Sequence, residues 1–83
     1  MDRKLNLSAS EISRPFEGEL GKTFPVILSP ILLAQILGLP VKTIYRWISI
    51  GRLNGCYRKR GKRCLIWRDR ALNKLFNGEP WDK

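Results

Sequence analysis

The stretch SPILLAQILGLPVKTIYRWISIGRLNGCYRKRGKRCLIWRDR, Ser29 to Arg70, decides how this chain folds. It opens on Ser29-Pro30, where the serine hydroxyl can cap exposed helix amides and the proline loses nothing in the first helical turn. A helix is expected from Pro30 to Leu37, with Leu32, Leu33, Ile36 and Leu37 gathered on one side. Gly38 can take the left-handed conformation that ends it, and Leu39-Pro40 turns the chain. A second helix should fill Val41 to Ile50 and close at Gly51. Within it, Val41, Ile44, Tyr45 and Ile48 keep the i, i+3, i+4, i+7 spacing of an inward face, with Trp47 at its margin. Lys42, Thr43, Arg46 and Ser49 are left outside.

After Gly51 the period changes from helical to alternating. Leu53 to Arg60 and Arg63 to Trp67 read as two short strands of a hairpin around Gly61-Lys62, with Lys59, Arg60, Lys62 and Arg63 crowded at its tip. Like charges so placed repel, so the tip implies an anionic partner. A last helix is expected over Arg70 to Asn77, capped by Asp69 and ended by Gly78, with Leu72, Leu75 and Phe76 turned to the core. The fold class that results is mainly α with a small β-hairpin.

Working outward, residues 1–22 form an N-terminal arm, partly ordered, 23–78 the domain, and 79–83 a C-terminal tail. In the arm, Ser8-Ala9-Ser10-Glu11 has the spacing of a capping box, which predicts a helical turn through Arg14 before Pro15 stops it. Leu5, Leu7, Ile12 and Phe16 are the candidates for packing on the core. Phe24 to Leu28 is a short extended lead-in.

Eighty-three residues make one small domain with a net charge of +9, from 16 Lys and Arg against 7 Asp and Glu. Residues 52–70 hold eight cations against Asp69 alone, a local +7, whereas residues 1–20 carry three cations and four carboxylates, a local −1. A cationic patch of this density binds a polyanion by counterion release, and nucleic acid is the commonest such partner. There is no histidine, no evident nucleophile with a base and no phosphate loop, so no enzyme, no metal and no cofactor are expected. Cys56 and Cys64 flank the basic turn. A turn centred on Arg60 would pair them directly, whereas a two-residue Gly61-Lys62 turn sets Lys59 opposite Cys64; free thiols in a cytoplasmic protein are the expectation. The uncharged run Thr23 to Val41 approaches the roughly 20 residues of a membrane span, but Pro25, Pro30 and Pro40 cut it. No secretory leader or membrane partner is expected, which points to the cytoplasm.

Taken together, Leu28-Ser29, Ala34, Ile36-Leu37-Gly38-Leu39, Lys42-Thr43-Ile44-Tyr45-Arg46-Trp47-Ile48, Gly51-Arg52-Leu53 and Arg68-Asp69-Arg70-Ala71-Leu72 resemble the excisionase-type, MerR-like winged helix-turn-helix domains. The likeness covers about half the chain and departs at Pro40-Val41, where the family commonly has a small polar residue. It implies a second helix that enters the major groove of double-stranded DNA and a hairpin wing on the neighbouring minor groove or backbone. By the same resemblance the recognition-helix contacts are Lys42, Thr43, Tyr45, Arg46 and Ser49, and the wing contacts are Arg58, Lys59, Arg60, Lys62 and Arg63. Arg46 suits direct readout, since a guanidinium can bond both acceptors of guanine. Tyr45 either bonds a phosphate or packs against the wing, Trp47 and Trp67 are expected to pack, and Arg52 and Arg68 are as readily structural as functional.

The resemblance also implies the job: an excisionase, or recombination directionality factor, that bends DNA near an attachment site of a mobile element for an integrase, with further copies side by side on the DNA. A small phage-type or MerR-like transcriptional regulator is the alternative, although a MerR-type regulator would append a long dimerisation helix. A basic RNA-binding protein fits less well, because the narrow major groove of duplex RNA excludes a helix. The expected place is the cytoplasm, on the nucleoid, of a bacterium or its phage.

Overall fold

The computed structural model describes residues 6–78. The contact expected of Leu5 and the tail with Trp81 lie outside them. The first helix, α1 (Ala9–Ser13), is capped as its sequence implies: Ser8 Oγ accepts from the Glu11 amide at 3.2 Å, and the Glu11 carboxylate accepts from the Ser8 amide at 2.9 Å. Pro15 ends it and leads into a 3-10 turn over Arg14–Phe16. A second short helix, α2 (Glu19–Thr23), escapes the sequence reading because Gly18 and Gly21 read as breakers. Gly21 instead provides room: a Cβ there would collide with the Phe16 carbonyl oxygen, so only glycine lets α2 fold back on the 3-10 turn.

The extended lead-in forms β1 (Ile27–Leu28). Two helices follow, α3 (Pro30–Leu37) and α4 (Val41–Ser49), bent by 115° from one another, the angle of a helix-turn-helix. Ser29 Oγ accepts from the Leu32 amide at 3.2 Å and caps α3. Both helices end in the same closure: the Leu39 amide donates to the Ala34 carbonyl at 3.0 Å and the Arg52 amide to the Trp47 carbonyl at 2.9 Å. Each requires a left-handed residue, supplied by Gly38 (φ 69°) and Gly51 (φ 86°). Among the described residues no single helix is long and apolar enough to cross a membrane; α3 and α4 match a span only when their lengths are combined across the bend.

Leu53 to Cys56, expected as strand, is a run of turns, bonded from the Asn54 amide to the Gly51 carbonyl at 3.2 Å and from the Cys56 amide to the Leu53 carbonyl at 3.0 Å. Leu53 drops into the core there, which a straight strand leaving Gly51 would not allow. The hairpin proper is β2 (Tyr57–Arg60) and β3 (Arg63–Trp67). Its two-residue turn holds Gly61 at φ 61° and sets Lys59 opposite Cys64 and Arg60 opposite Arg63. Cys56 precedes the ladder and both thiols are free. β1 pairs antiparallel with the far side of β3, giving a three-stranded sheet in the order β1-β3-β2.

The last helix, α5 (Arg68–Asn77), starts two residues before the expected Arg70. Asp69 therefore lies inside the first turn and takes the Arg68 side chain instead of capping the helix. The core gathers side chains from every layer, including Ile12 of α1, Leu33 of α3, Ile44 and Ile48 of α4, Ile66 of β3 and Leu72 of α5. On α4 the expected inward face needs one correction: Trp47 is 7 % exposed and Tyr45 54 %. Both fit a helical period beside Ile44 and Ile48, and the larger, more apolar indole takes the buried side. The architecture is a winged helix-turn-helix, mainly helical with a small antiparallel hairpin.

Candidate nucleic-acid interface

With Ile44, Trp47 and Ile48 turned inward, α4 leaves Lys42, Tyr45, Arg46 and Ser49 exposed, at the i, i+3, i+4, i+7 positions of a single outward stripe. Thr43 lies at its edge, half-buried. A cationic and hydroxyl-bearing stripe on a helix propped at 115° has the shape and donors of a major-groove probe.

The wing stands beside this stripe. Tyr45 and Ser49 of α4 share one groove with Lys59, Lys62 and Arg63 of the hairpin, and among the described residues no carboxylate lines it. Ile31, at the start of α3, is 55 % exposed and joins the same wall. The residue escaped the sequence reading, although its helical position outside the Leu32, Leu33, Ile36, Leu37 set was a usable signal. The β-pleat divides the cations of β2: Lys59 lines the groove, whereas Arg58 and Arg60 line the hollow on the other side of the hairpin; Tyr57 and Leu65 border both, and Arg63, across from Arg60, reaches the groove at the tip. Arg60 and Arg63 stand directly across the two strands, an arrangement that destabilises a hairpin unless an anion is at hand.

Several cations of the basic segment serve the fold. Arg68 is buried; its Nη1 donates to the Phe24 carbonyl at 2.8 Å, its Nε to Asp69 at 2.8 Å, and its guanidinium lies 4.0 Å over the Phe16 ring. Arg52 lies 5.6 Å over the Trp47 ring. Arg70 Nη1 donates to the Gly55 carbonyl at 3.2 Å and Lys74 Nζ to the Asn54 carbonyl at 2.7 Å. These last two pin the turns between α4 and β2 to α5, and so fix where the wing stands. Cys64 lines the groove next to Lys59, and burial pushes its thiol above the ordinary range while the Lys59 ammonium pulls the other way. It stays a protonated, unreactive wall residue at neutral pH.

This surface offers donors, cations and the exposed Tyr45 ring to a duplex. Residues 28–72 match the family described as helix-turn-helix domain, a family that includes excisionase-like DNA-binding proteins. No curated protein and no solved structure matches the chain. The matched segment is more than half of the sequence and contains both helices, the wing and the start of α5. The chain belongs to the helix-turn-helix domain family, whose work is DNA binding.

Proposed function

We propose that this protein is an excisionase, a recombination directionality factor that binds double-stranded DNA beside an attachment site of a mobile element, bends it and favours excision by an integrase. The observation that carries the reading is that Tyr45 and Ser49 of the α4 stripe open on one groove with Lys59, Lys62 and Arg63 of the wing, so a helix and a wing can engage neighbouring parts of one duplex. Lys42, Arg46, Tyr45 and Ser49 meet base edges and the flanking phosphates, and Lys59, Lys62 and Arg63 hold the backbone, which positions the protein without specifying sequence. The protein acts by binding alone, on the nucleoid of a bacterial or phage-infected cell, and catalyses nothing.

The same surface placed on a promoter makes a small transcriptional regulator. Supplying the protein in a cell that carries an integrase gene and a marked element integrated by that enzyme separates the two. Excision that rises with the protein supports the excisionase reading; unchanged excision with altered transcription of a divergent operon replaces it. Competition in a gel shift tests the duplex itself: duplex DNA should displace the bound probe far better than duplex RNA, and equal displacement removes the groove-reading argument.

A further inference from the structure

Asparagine precedes glycine at Asn54-Gly55, between α4 and β2, and at Asn77-Gly78, where α5 ends. A glycine in that place leaves its amide nitrogen open to the neighbouring carboxamide, because no side chain shields it. The structure treats the two pairs differently. The Asn77 carboxamide is gripped on both sides: Nδ2 donates to the Leu7 carbonyl at 2.8 Å and to Asn73 Oδ1 at 2.6 Å, and Oδ1 accepts from the Leu7 amide at 2.6 Å. Asn54 and Gly55 are exposed. The Asn54 carboxamide lies at the surface beside Gly51, where a side chain exchanges rotamers within ps–ns.

A cation also holds the peptide group at which the open pair would react. Lys74 Nζ donates to the Asn54 carbonyl at 2.7 Å. That carbonyl and the Gly55 amide are one resonant unit, so negative charge left by loss of the Gly55 amide proton spreads onto the oxygen that the ammonium holds. Arg70 Nη1, 3.2 Å from the Gly55 carbonyl, adds positive potential next to it.

We propose that Asn54-Gly55 is a site of spontaneous covalent modification, where the chain converts its own asparagine to aspartate and isoaspartate and Lys74 favours the step. Hydroxide takes the Gly55 amide proton, and the nitrogen attacks Asn54 Cγ. The new C–N bond closes a succinimide ring, the Cγ–Nδ2 bond breaks, and ammonia leaves with a proton from water. Water then opens the ring at either carbonyl. Opening at Cγ gives aspartate; opening at the backbone carbonyl gives isoaspartate, whose main chain runs through Cβ and Cγ and is a carbon longer. The carbonyl that Lys74 held is then displaced, and a carboxylate stands beside Lys74 and Arg70 in the turn that fixes where the wing stands. The consequence for DNA rests on the duplex-binding reading above; the modification itself does not.

The test ages the full chain under reductant at physiological temperature, from neutral to mildly alkaline pH. Trypsin then frees residues 53–58 and 75–83, each with a single Asn-Gly pair, and mass spectrometry reads the change from amide to acid in both. Labelling by an isoaspartyl methyltransferase scores the isoaspartate. Asn54 should convert about tenfold faster than Asn77, at a rate that rises with pH. Lys74→Gln should slow Asn54 about threefold, and Lys74→Arg should keep the wild-type rate. Equal rates at the two pairs overturn the site, and an Asn54 rate that Lys74→Gln does not lower overturns the part given to Lys74.

Converted protein, separated from the rest by charge, should bind a duplex selected by the unaged protein from random DNA about tenfold more weakly. Asn54→Gln, whose longer side chain closes the corresponding ring slowly, should keep its affinity through the same ageing. Parallel loss in both overturns the effect on binding. Failure of the unaged wild type to bind any duplex overturns the duplex reading and leaves the modification standing.

Discussion

Arg68 lies in the most basic part of the chain and yet is buried, spanning from α5 to the Phe24 carbonyl and the Phe16 ring. Composition placed this residue in a cationic patch, because a count of charges cannot tell a guanidinium facing water from one whose donors are consumed by a backbone carbonyl and a carboxylate. Arg68→Met should cost about 2–3 kcal/mol of stability in urea unfolding, since a charge-assisted bond and the Phe24 acceptor are lost together. Arg46 is the opposite case, an exposed arginine on the α4 stripe whose location follows from helical spacing. Arg46→Ala should lower discrimination between selected and random duplex by about 1–3 kcal/mol while weakly changing affinity for random DNA. Equal loss on both would give Arg46 to the phosphates. Tyr45 and Trp47 show where spacing runs out, since both satisfy the period and only packing against the rest of the core decides between them.

At the scale of elements, α3 and α4 were legible because their ends carry specific chemistry: Ser29-Pro30 at one start, and Gly38 and Gly51 at the two closures, each now seen in the left-handed conformation. The hairpin was legible from Gly61-Lys62 and the alternation on either side. The third strand was not, since the two residues of β1 have no period of their own and are strand only because β3 offers a free edge. The helix α2 was hidden for a different reason, a glycine whose purpose is the closeness of another segment. The wing also makes a graded prediction. If about six cations reach phosphate, affinity should fall with salt at a log–log slope of roughly −5, and Lys59→Gln or Lys62→Gln should each flatten it by about 1. Arg58→Gln and Arg60→Gln, on the outer face, should flatten it less; four equal effects would mean that the pleat does not sort these charges.

For the whole molecule, stability links to pH through its thiols. Burial raises Cys56 above its ordinary value, against opposing pulls from Lys74 and Arg70, and raises Cys64 in the same direction. The folded state thus holds protons that the unfolded state releases first, so stability is full below the unfolded thiol range, about 8.5, and declines as pH rises through the higher folded values. Melting temperature should therefore drop at alkaline pH, and Cys56→Ala should reduce that drop; a pH-independent melt across this range would contradict it. The N-terminal segment contributes to the same whole. Ile12 is part of the core, and Asn77 clasps the Leu7 backbone from both sides, its Nδ2 donating to the Leu7 carbonyl at 2.8 Å and its Oδ1 accepting from the Leu7 amide at 2.6 Å.

Kinship is recognisable between residues 28 and 72, but the Phe24 carbonyl and Phe16 ring that Arg68 meets, the Leu7 backbone that Asn77 clasps and Ile12 of the core all precede that span, and Leu75 follows it. A gene fragment trimmed to the recognisable span should consequently yield a peptide with collapsed amide dispersion in NMR spectra and no cooperative melt, although every DNA-facing side chain would still be encoded. The smallest autonomous unit of this protein is wider than the signature by which it is classified.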